Sequence, residues 1–198
     1  MTARPERLGV FGGTFDPPHI GHLVAALYSF EAISLDRLMF VVANVPWQKV
    51  PQRLISPVEH RLAMVRAAIA DQRGFEVSTV EIERAGNSYM VDTLQELRLR
   101  NPGSELFLIV GADAAAGIPT WHQPERLAAL ATVVVVDRAE VATVHLPGFE
   151  VRTVPMPAIG LSSTALRARV GRGGALRWQV PPAVDALIQQ LGLYRRAD

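Results

Sequence analysis

Two histidines three residues apart follow a pair of glycines near the start of the chain, in the stretch GGTFDPPHIGH that runs from Gly12 to His22. An apolar run precedes the glycines and a helical apolar spacing follows the histidines, which predicts a strand, a turn and a helix start. A helix start offers unpaired N–H groups, and glycine lets an anion approach the backbone closely. His19 and His22 share one helix face. The stretch therefore predicts a phosphate site, the alternative being a plain turn with a histidine cap.

A second candidate anion site lies toward the C-terminus, where three hydroxyl residues precede a helical segment. Ser162, Ser163 and Thr164 stand at the predicted helix start, and Arg167 follows three residues after Thr164. Hydroxyl groups, unpaired N–H groups and a guanidinium that can make two parallel bonds suit a phosphate. The alternative is an ordinary N-cap serine beside a solvated arginine.

Further polar and aromatic residues follow predicted strand ends or stand in loops. Gly111 and Asp113 come after an apolar run, and the Asp113 carboxylate suits ribose hydroxyls or else caps a short helix. The Trp121 ring suits stacking on a flat ligand ring, with core packing as the alternative. Arg138 and Lys49 suit a second phosphate, or are ordinary surface residues. Ligands of parallel sheets bind at the carboxyl ends of strands, so we expect these residues to converge there.

An alternation of strand-like and helix-like segments has to position these residues. The predicted strands are Leu8–Phe11, Leu38–Ala43, Phe75–Val80, Leu106–Val110, Val133–Asp137 and Glu150–Val154. The predicted helices are His19–Ile33, one that begins at Ser56, Tyr89–Arg100, Glu125–Leu130, Ala165–Val170 and one that ends near Gly192. Several strands are continuous apolar runs, which indicates parallel strands covered on both faces. The fold class is therefore α/β, with an open, mostly parallel sheet flanked by helices and a small helical C-terminal part.

The helix that begins at Ser56 has a complete start signal. Ser56 predicts the cap, Pro57 fits the first turn, and Glu59 completes a capping box. His60 and Arg61 are expected at the surface of this helix start. His60 also lacks the spacing to other histidines that a metal site needs.

The composition limits the classes of function. The chain has 198 residues and no cysteine, which excludes a disulfide framework, a thiolate zinc site and a cysteine nucleophile. The formal net charge of +1 gives no global field to attract nucleic acid or a membrane surface. The sequence has no HExxH motif and no carboxylate cluster, so the residues predict no metal cage built by the protein. It also has no Walker A sequence, so the predicted phosphate site is not a P-loop. A polar stretch from Met1 to Arg7 and short apolar runs predict a cytoplasmic protein without a membrane span.

The two candidate phosphate sites together resemble the signature motifs of the nucleotidyltransferase superfamily, HxGH at 19–22 and SSTxxR at 162–167. Within that superfamily the chain is similar to the bacterial nicotinate-nucleotide adenylyltransferases, from about Leu8 to Tyr194. The stretch NSYMVDTL at 87–94 carries part of this similarity. The resemblance implies a single domain over 1–198, with a Rossmann-like core at about 7–158 and a helical part at about 159–198.

The resemblance further implies adenylyl transfer from ATP to nicotinate mononucleotide, giving nicotinate adenine dinucleotide and pyrophosphate. It implies a Mg²⁺ ion held mainly through the substrate phosphates, and it leaves a homo-oligomer open. The catalytic residues it implies are His19, His22 and Arg167. The ATP-binding residues it implies are Gly12, Gly13, Thr14, Phe15, His19, His22, Gly111, Asp113, Ser162, Ser163, Thr164 and Arg167. The acceptor-binding residues it implies are Asn44, Lys49, Tyr89, Met90, Trp121, His122 and Arg138.

Two stretches depart from the pattern of that family, both on the expected acceptor side. Met90 stands where threonine is common, and Pro46-Trp47-Gln48-Lys49 replaces a stretch similar to Pro-Pro-His-Lys. These departures concern substrate contact and the position of the loop, not the adenylyl-transfer chemistry. The alternative functions are adenylyl transfer to another acceptor, either nicotinamide mononucleotide or phosphopantetheine, or a nucleotide-sensing module without catalysis.

Overall fold

The sheet is all parallel, in a computed structural model that describes residues 4–45, 55–138 and 145–195, the side chain of Arg138 excepted. Its strands are β1 (Arg7–Gly13), β2 (Arg37–Val42), β3 (Phe75–Ser78), β4 (Glu105–Gly111), β5 (Thr132–Arg138) and β6 (Val151–Met156). They lie in the order β3-β2-β1-β4-β5-β6, which is the Rossmann order. The predicted α/β class with a parallel, Rossmann-like sheet is confirmed.

Helices connect the strands and cover both faces of the sheet. They are α1 (Ile20–Ala32), α2 (Val58–Ile69), α3 (Val80–Arg84), α4 (Met90–Arg100), α5 (Ala112–Gly117), α6 (Pro124–Ala128), α7 (Ser163–Val170) and α8 (Pro182–Gln190), with a 3₁₀ turn at Ile118–Thr120. The predicted strand Phe75–Val80 is wrong at its end, because Val80 begins α3. A short apolar run does not distinguish a strand from the buried start of a helix. No helix in the described residues is both long and apolar enough to cross a membrane.

Two apolar clusters sandwich the sheet, because successive strand residues point to opposite faces. On β4, Leu108 belongs to the cluster that packs against α4, whereas Ile109 belongs to the cluster that packs against α1 and α2. The chain order reverses between β1 and β4, which are hydrogen-bonded neighbours. Helices leave the carboxyl ends of these two strands toward opposite faces, and a crevice for ligands forms at such a point.

The C-terminal helices pack on α2 and not on the sheet. A third apolar cluster joins Met64 of α2 to Leu166 and Val170 of α7 and to Val184 and Ile188 of α8. This packing carries the start of α7 to the carboxyl end of β1, so residues far apart in sequence meet at the crevice.

The start of α2 differs from the prediction. Pro57 is the N-cap and no side chain caps the helix, so the capping box at Ser56 is wrong. The prediction that Arg61 lies at the surface is also wrong, since only 2% of this residue is exposed. Arg61 stands four residues before Val65 and eight before Ile69, which places it on the buried face of the helix. Its charge is met there by backbone carbonyl groups.

Candidate active site

A cavity of about 710 Å³ opens at the carboxyl ends of β1, β4 and β5. Most of the residues singled out in the sequence line it, namely Gly12, Gly13, Thr14, Phe15, His19, His22, Tyr89, Met90, Gly111, Asp113, Trp121, His122, Ser162, Ser163, Thr164 and Arg167. Asn44 is not among the lining residues, and Lys49 and the side chain of Arg138 lie outside the described part of the chain. The volume falls within the usual range for a small-molecule site.

The two histidines form one stacked pair at the start of α1. Their ring centroids lie 3.7 Å apart with the planes inclined by 25°. The backbone N–H of His19 donates to Nδ1 of His22 over 3.1 Å. A neutral His22 must therefore carry its proton on Nε2, the nitrogen on the far side of the ring from this bond. We assign this tautomer from the hydrogen bond.

His19 is buried and uncharged. Only 6% of the residue is exposed, and burial lowers the pKa of its ring from 6.5 to about 4. Its Nδ1 is buried without a hydrogen-bond partner among the described residues. A neutral imidazole in this position keeps one N–H to donate, and an anion placed beside it favours the protonated form.

Hydrogen bonds join the start of α7 to the loop that follows β1. The Ser163 hydroxyl donates to the carbonyl of Pro17 over 2.9 Å, and Nη1 of Arg167 donates to the carbonyl of Asp16 over 2.6 Å. Ser162 caps α7 by accepting the N–H of Ala165. The structure therefore shows this serine in the N-cap role that the sequence offered as the alternative to phosphate binding. We call residues 12–22 and 162–167 together the histidine side of the cavity.

Asp16 is a buried carboxylate that the sequence did not single out. It is 2% exposed, and it accepts the Tyr194 hydroxyl at Oδ1 over 2.6 Å and the Ser56 N–H at Oδ2 over 3.2 Å. Burial, followed by the charge of Asp16, raises the pKa of the Tyr194 phenol far above its usual range. Because Asp-Pro-Pro is an ordinary turn sequence, nothing in the sequence marked this carboxylate as buried.

Residues 88–90 and 121–122 also line the cavity, and we call them its aromatic side. The rings of Tyr89 and His122 lie 4.5 Å apart, and the half-buried Trp121 packs against the apolar cluster that includes α4 residues. Met90 is the first residue of α4. A Cβ at Gly12 would come within 2.5 Å of the Met90 Cε, so a larger residue at position 12 would displace the end of this flexible side chain.

Comparison with known proteins decides the family. A Cytidylyltransferase-like family model matches residues 10–169. A Thermus thermophilus protein named as a probable nicotinate-nucleotide adenylyltransferase is 44% identical over 196 residues, which cover 96% of this chain and 100% of the relative. A Saccharopolyspora erythraea protein of the same name is 42% identical, covering 99% of this chain and 93% of the relative. The chain belongs to the nicotinate-nucleotide adenylyltransferase family.

Solved structures agree with this assignment at the level of the fold. Nicotinic acid mononucleotide adenylyltransferase of Plasmodium falciparum, complexed with APC, superposes with a TM-score of 0.79. The same enzyme complexed with NaAD superposes with a TM-score of 0.78. Sequence identity is 16% in both cases, and each comparison covers 96% of this chain and 97% of the other.

Asn44 of this family member supports the aromatic side from outside the cavity. Its side chain donates to the carbonyl of Gly86 over 3.2 Å, and its backbone N–H donates to the Ser88 hydroxyl over 2.9 Å. Beneath them lies Glu81, which the sequence did not single out. The Thr93 hydroxyl donates to Glu81 over 2.6 Å, and burial raises the pKa of the Glu81 carboxyl. Glu81 alternates with apolar residues and is followed by another glutamate, Glu83, so nothing in the sequence marked it as buried.

The acidic residues at the cavity of this family member suit a Mg²⁺ ion that binds together with the substrate phosphates. In residues 4–45, 55–138 and 145–195, no group of three or more His, Cys, Asp or Glu side chains could hold a metal ion. Asp16 is already hydrogen-bonded, whereas Asp113 is exposed on the cavity wall. Magnesium commonly keeps several waters and takes one or two carboxylates plus substrate phosphates, which this donor set fits.

Proposed function

We propose that this chain transfers the adenylyl group of ATP to nicotinate mononucleotide, giving nicotinate adenine dinucleotide and pyrophosphate in NAD biosynthesis. The observation that carries the proposal is that the HxGH and SSTxxR motifs line one cavity together with the rings of Tyr89, Trp121 and His122. The names of relatives at 42–44% identity over nearly the whole chain support the same reaction.

The proposed chemistry is a direct in-line displacement. A phosphate oxygen of the mononucleotide attacks the α-phosphorus of ATP and forms a new P–O bond. The bond from the α-phosphorus to its bridging oxygen breaks, and pyrophosphate leaves with that electron pair. The attacking phosphate is already anionic, so no general base and no covalent enzyme intermediate is required. Catalysis then consists of positioning the reactants and stabilising charge.

The histidine side supplies donors for the charge that develops during this displacement. Nε2–H of His22 and the neutral ring of His19 donate to phosphate oxygens as the negative charge grows. The Arg167 guanidinium and the N–H groups that begin α7 donate to the leaving pyrophosphate. The Ser163 hydroxyl proton is engaged by Pro17, so at this position the backbone N–H is the donor we assign. The Thr14 and Thr164 side chains and Gly12 and Gly13 complete the ATP site.

The aromatic side holds the acceptor. Trp121 stacks on the nicotinate ring, and backbone N–H groups near Met90 and His122 bind its carboxylate, supported by their place on the cavity wall. Gly111 and Asp113 bind a ribose. Arg138 and Lys49 bind the acceptor phosphate, by the resemblance of the sequence alone. Mg²⁺, held through the substrate phosphates, supplies charge neutralisation when bound.

We further propose that one domain carries this activity, with a Rossmann-like core over about 7–158 and a helical part over about 159–198. The packing of α7 and α8 on α2 supports treating the two parts as one unit. A cytoplasmic location is also proposed, since ATP is the donor and the chain contains no cysteine.

A pyrophosphate-release assay with three acceptors tests the function. The native chain is incubated with ATP, Mg²⁺ and nicotinate mononucleotide, nicotinamide mononucleotide or phosphopantetheine in separate reactions. The proposal predicts the highest kcat/KM with nicotinate mononucleotide. Faster turnover with either of the other two would reassign the acceptor. ATP binding without pyrophosphate release from any acceptor would indicate a nucleotide sensor and overturn the enzymatic proposal.

A further inference from the structure

Arg61 is a buried cation whose guanidinium binds backbone carbonyls from three separate stretches of the chain. Nη1 donates to the carbonyls of Thr14 and Ala43 over 3.0 and 2.7 Å. Nη2 donates to the carbonyl of Asn44 over 3.1 Å, and Nε donates to that of Ser56 over 3.0 Å. The planar fork of arginine suits this arrangement, because its donors diverge in fixed directions.

Two of these carbonyls belong to segments next to the cavity, although Arg61 itself is not a lining residue. Thr14 belongs to the loop of the histidine side. Ala43 lines the cavity just after β2, and the N–H of the next residue, Asn44, donates to Ser88 on the aromatic side. Arg61 therefore contacts the histidine side through the Thr14 carbonyl and is linked to the aromatic side through the Ala43–Asn44 peptide, which bonds Ser88.

The bond from Arg61 to the Thr14 carbonyl also sets the direction of the Phe15 N–H, because both groups belong to one planar peptide. In a trans peptide the C=O and the following N–H point in opposite directions, and the peptide after Thr14 is not the cis bond of this loop, which joins Asp16 to Pro17. Binding the Thr14 carbonyl from behind thus turns the N–H of Phe15 toward the cavity. That N–H has no hydrogen-bond partner among the described residues.

The Ala43–Asn44 peptide shows the same arrangement, and here the N–H group has a protein acceptor. The carbonyl of Ala43 accepts from Arg61, and the N–H of the same peptide, that of Asn44, donates to the Ser88 hydroxyl over 2.9 Å. One guanidinium thus directs two peptide N–H groups away from itself, one to a protein acceptor and one into the cavity.

We propose that Arg61 is a positioning residue for adenylyl transfer, which fixes the Thr14–Phe15 peptide so that the Phe15 N–H donates to a phosphate oxygen of ATP. The proposal rests on the proposed function for its kinetic consequence. Burial lowers the Arg61 pKa, while the charge of the buried Asp16 carboxylate raises it. Arginine stays protonated under such conditions, so the fork keeps all its donors and adds a fixed positive charge behind the loop.

Arg61→Lys and Arg61→Gln separate the fork from the charge. Lysine keeps the charge but offers its donors from a single nitrogen, which cannot meet carbonyls on three stretches. Glutamine removes the charge as well. We expect kcat to fall at least 10-fold in Arg61→Lys and further in Arg61→Gln, with KM for ATP changing less than threefold. Arg66→Lys on the exposed face of the same helix is the matched control and should leave kcat unchanged.

A spectroscopic readout accompanies the kinetics, at a temperature where urea melts show each variant to be folded. In ¹⁵N–¹H spectra of the native chain, α,β-methylene-ATP with Mg²⁺ should shift the Phe15 amide resonance, and in Arg61→Lys that shift should fall by more than half. A native Phe15 resonance that does not respond, or an Arg61→Lys variant with kcat within threefold and an unchanged shift, overturns the proposal.

The spectra also keep the two proposals distinguishable. If the native chain releases no pyrophosphate, the proposed reaction fails, while the response to the ATP analogue still tests Arg61. If neither variant folds, the Nε–H resonance of Arg61 in the native chain decides. Protection from solvent exchange together with a shift on binding the analogue supports the proposal, and no shift overturns it.

Discussion

The histidine side and the aromatic side of the cavity are built in different ways. On the histidine side, bonds between residues distant in sequence fix the loop after β1: Ser163 to Pro17, Arg167 to Asp16, Tyr194 to Asp16 and Arg61 to Thr14. On the aromatic side, Tyr89 and His122 meet through their rings, the His122 side chain contacts that of its neighbour Gln123, and the Asn44 N–H donates to the Ser88 hydroxyl. Long-range hydrogen bonds hold the loop of the first wall, whereas the second wall combines ring packing with the bond from Asn44 to Ser88.

This difference matches the work proposed for each wall. Charge that develops at phosphorus is stabilised best by donors that are already in place, because donors that have to reorient reduce the gain. A ring that stacks on a flat acceptor tolerates small shifts, since stacking depends weakly on direction. We therefore expect changes on the histidine side to lower kcat, and changes on the aromatic side to raise KM for the acceptor.

His22→Ala should produce the largest effect. It removes the Nε2–H donor of the histidine side, and the loss of one such donor typically lowers kcat by about 10²–10³-fold, or about 3–4 kcal/mol in the barrier. Pyrophosphate release measures the loss, and a urea melt checks that the variant is folded. His145→Ala, at an exposed position, is the control. Turnover of His22→Ala within threefold of the native value would remove His22 from the mechanism.

The pH dependence of stability tests whether His19 is buried in its neutral form. Its pKa is about 4 in the folded chain and 6.5 in the unfolded chain. Between pH 6.5 and pH 4 the ring is protonated in the unfolded chain but neutral in the folded chain. The free energy of unfolding therefore has its full value above pH 6.5 and decreases as the pH falls toward 4. The loss amounts to about 3 kcal/mol in the free energy of unfolding.

Urea unfolding at pH 7 and pH 4.5 measures this change in the native chain and in His19→Asn, which keeps a residue suited to the N-cap position. The variant should lose less stability on acidification than the native chain, whereas His145→Asn should behave like the native chain. Equal pH slopes in the native chain and His19→Asn would mean that His19 is solvated.

Trp121→Ala addresses the aromatic side. Stacking of an aromatic side chain on a base contributes about 1–3 kcal/mol per ring in nucleic acid binding, and the pyridine ring presents a similar face. KM for the mononucleotide should therefore rise about 10-fold to 100-fold, with KM for ATP within twofold. Trp178, 80% exposed, supplies the control Trp178→Ala. A fall in kcat with an unchanged KM for the acceptor would mean that Trp121 does not bind the acceptor ring.

The motifs and the sheet could be predicted from the sequence because each depends on local signals. The strand, glycine turn and helix start at 9–23 follow from apolar spacing, and the SSTxxR stretch carries its own cap residue. These local signals predicted the strand end and the two helix starts that the structure shows at these stretches. They could not show that Ser163 donates to Pro17, because that contact spans 146 residues of sequence.

The buried charges could not be predicted for a related reason. Arg61 and Asp16 are polar by composition, and their burial depends on partners from several stretches. Only the spacing of Arg61 to Val65 and Ile69 hinted that the side chain faces inward. The side chain of Asn44, a residue that the family resemblance assigns to the acceptor site, donates to the carbonyl of Gly86, and this contact could not be predicted from the sequence either.

Tyr194→Phe is expected to give the smallest effect and tests how much the C-terminal bond matters to the histidine side. The substitution removes the donor to Oδ1 of Asp16 and leaves Oδ2 bonded to Ser56. A buried acceptor that loses one partner costs about 1–2 kcal/mol in the free energy of unfolding. Urea melts measure this loss, with Tyr28→Phe at a more exposed position as the control. If the bond also aligns the loop, kcat should fall while KM for the acceptor stays constant. Unchanged stability and unchanged kcat would mean that Arg61, Arg167 and Ser163 hold the loop without Tyr194.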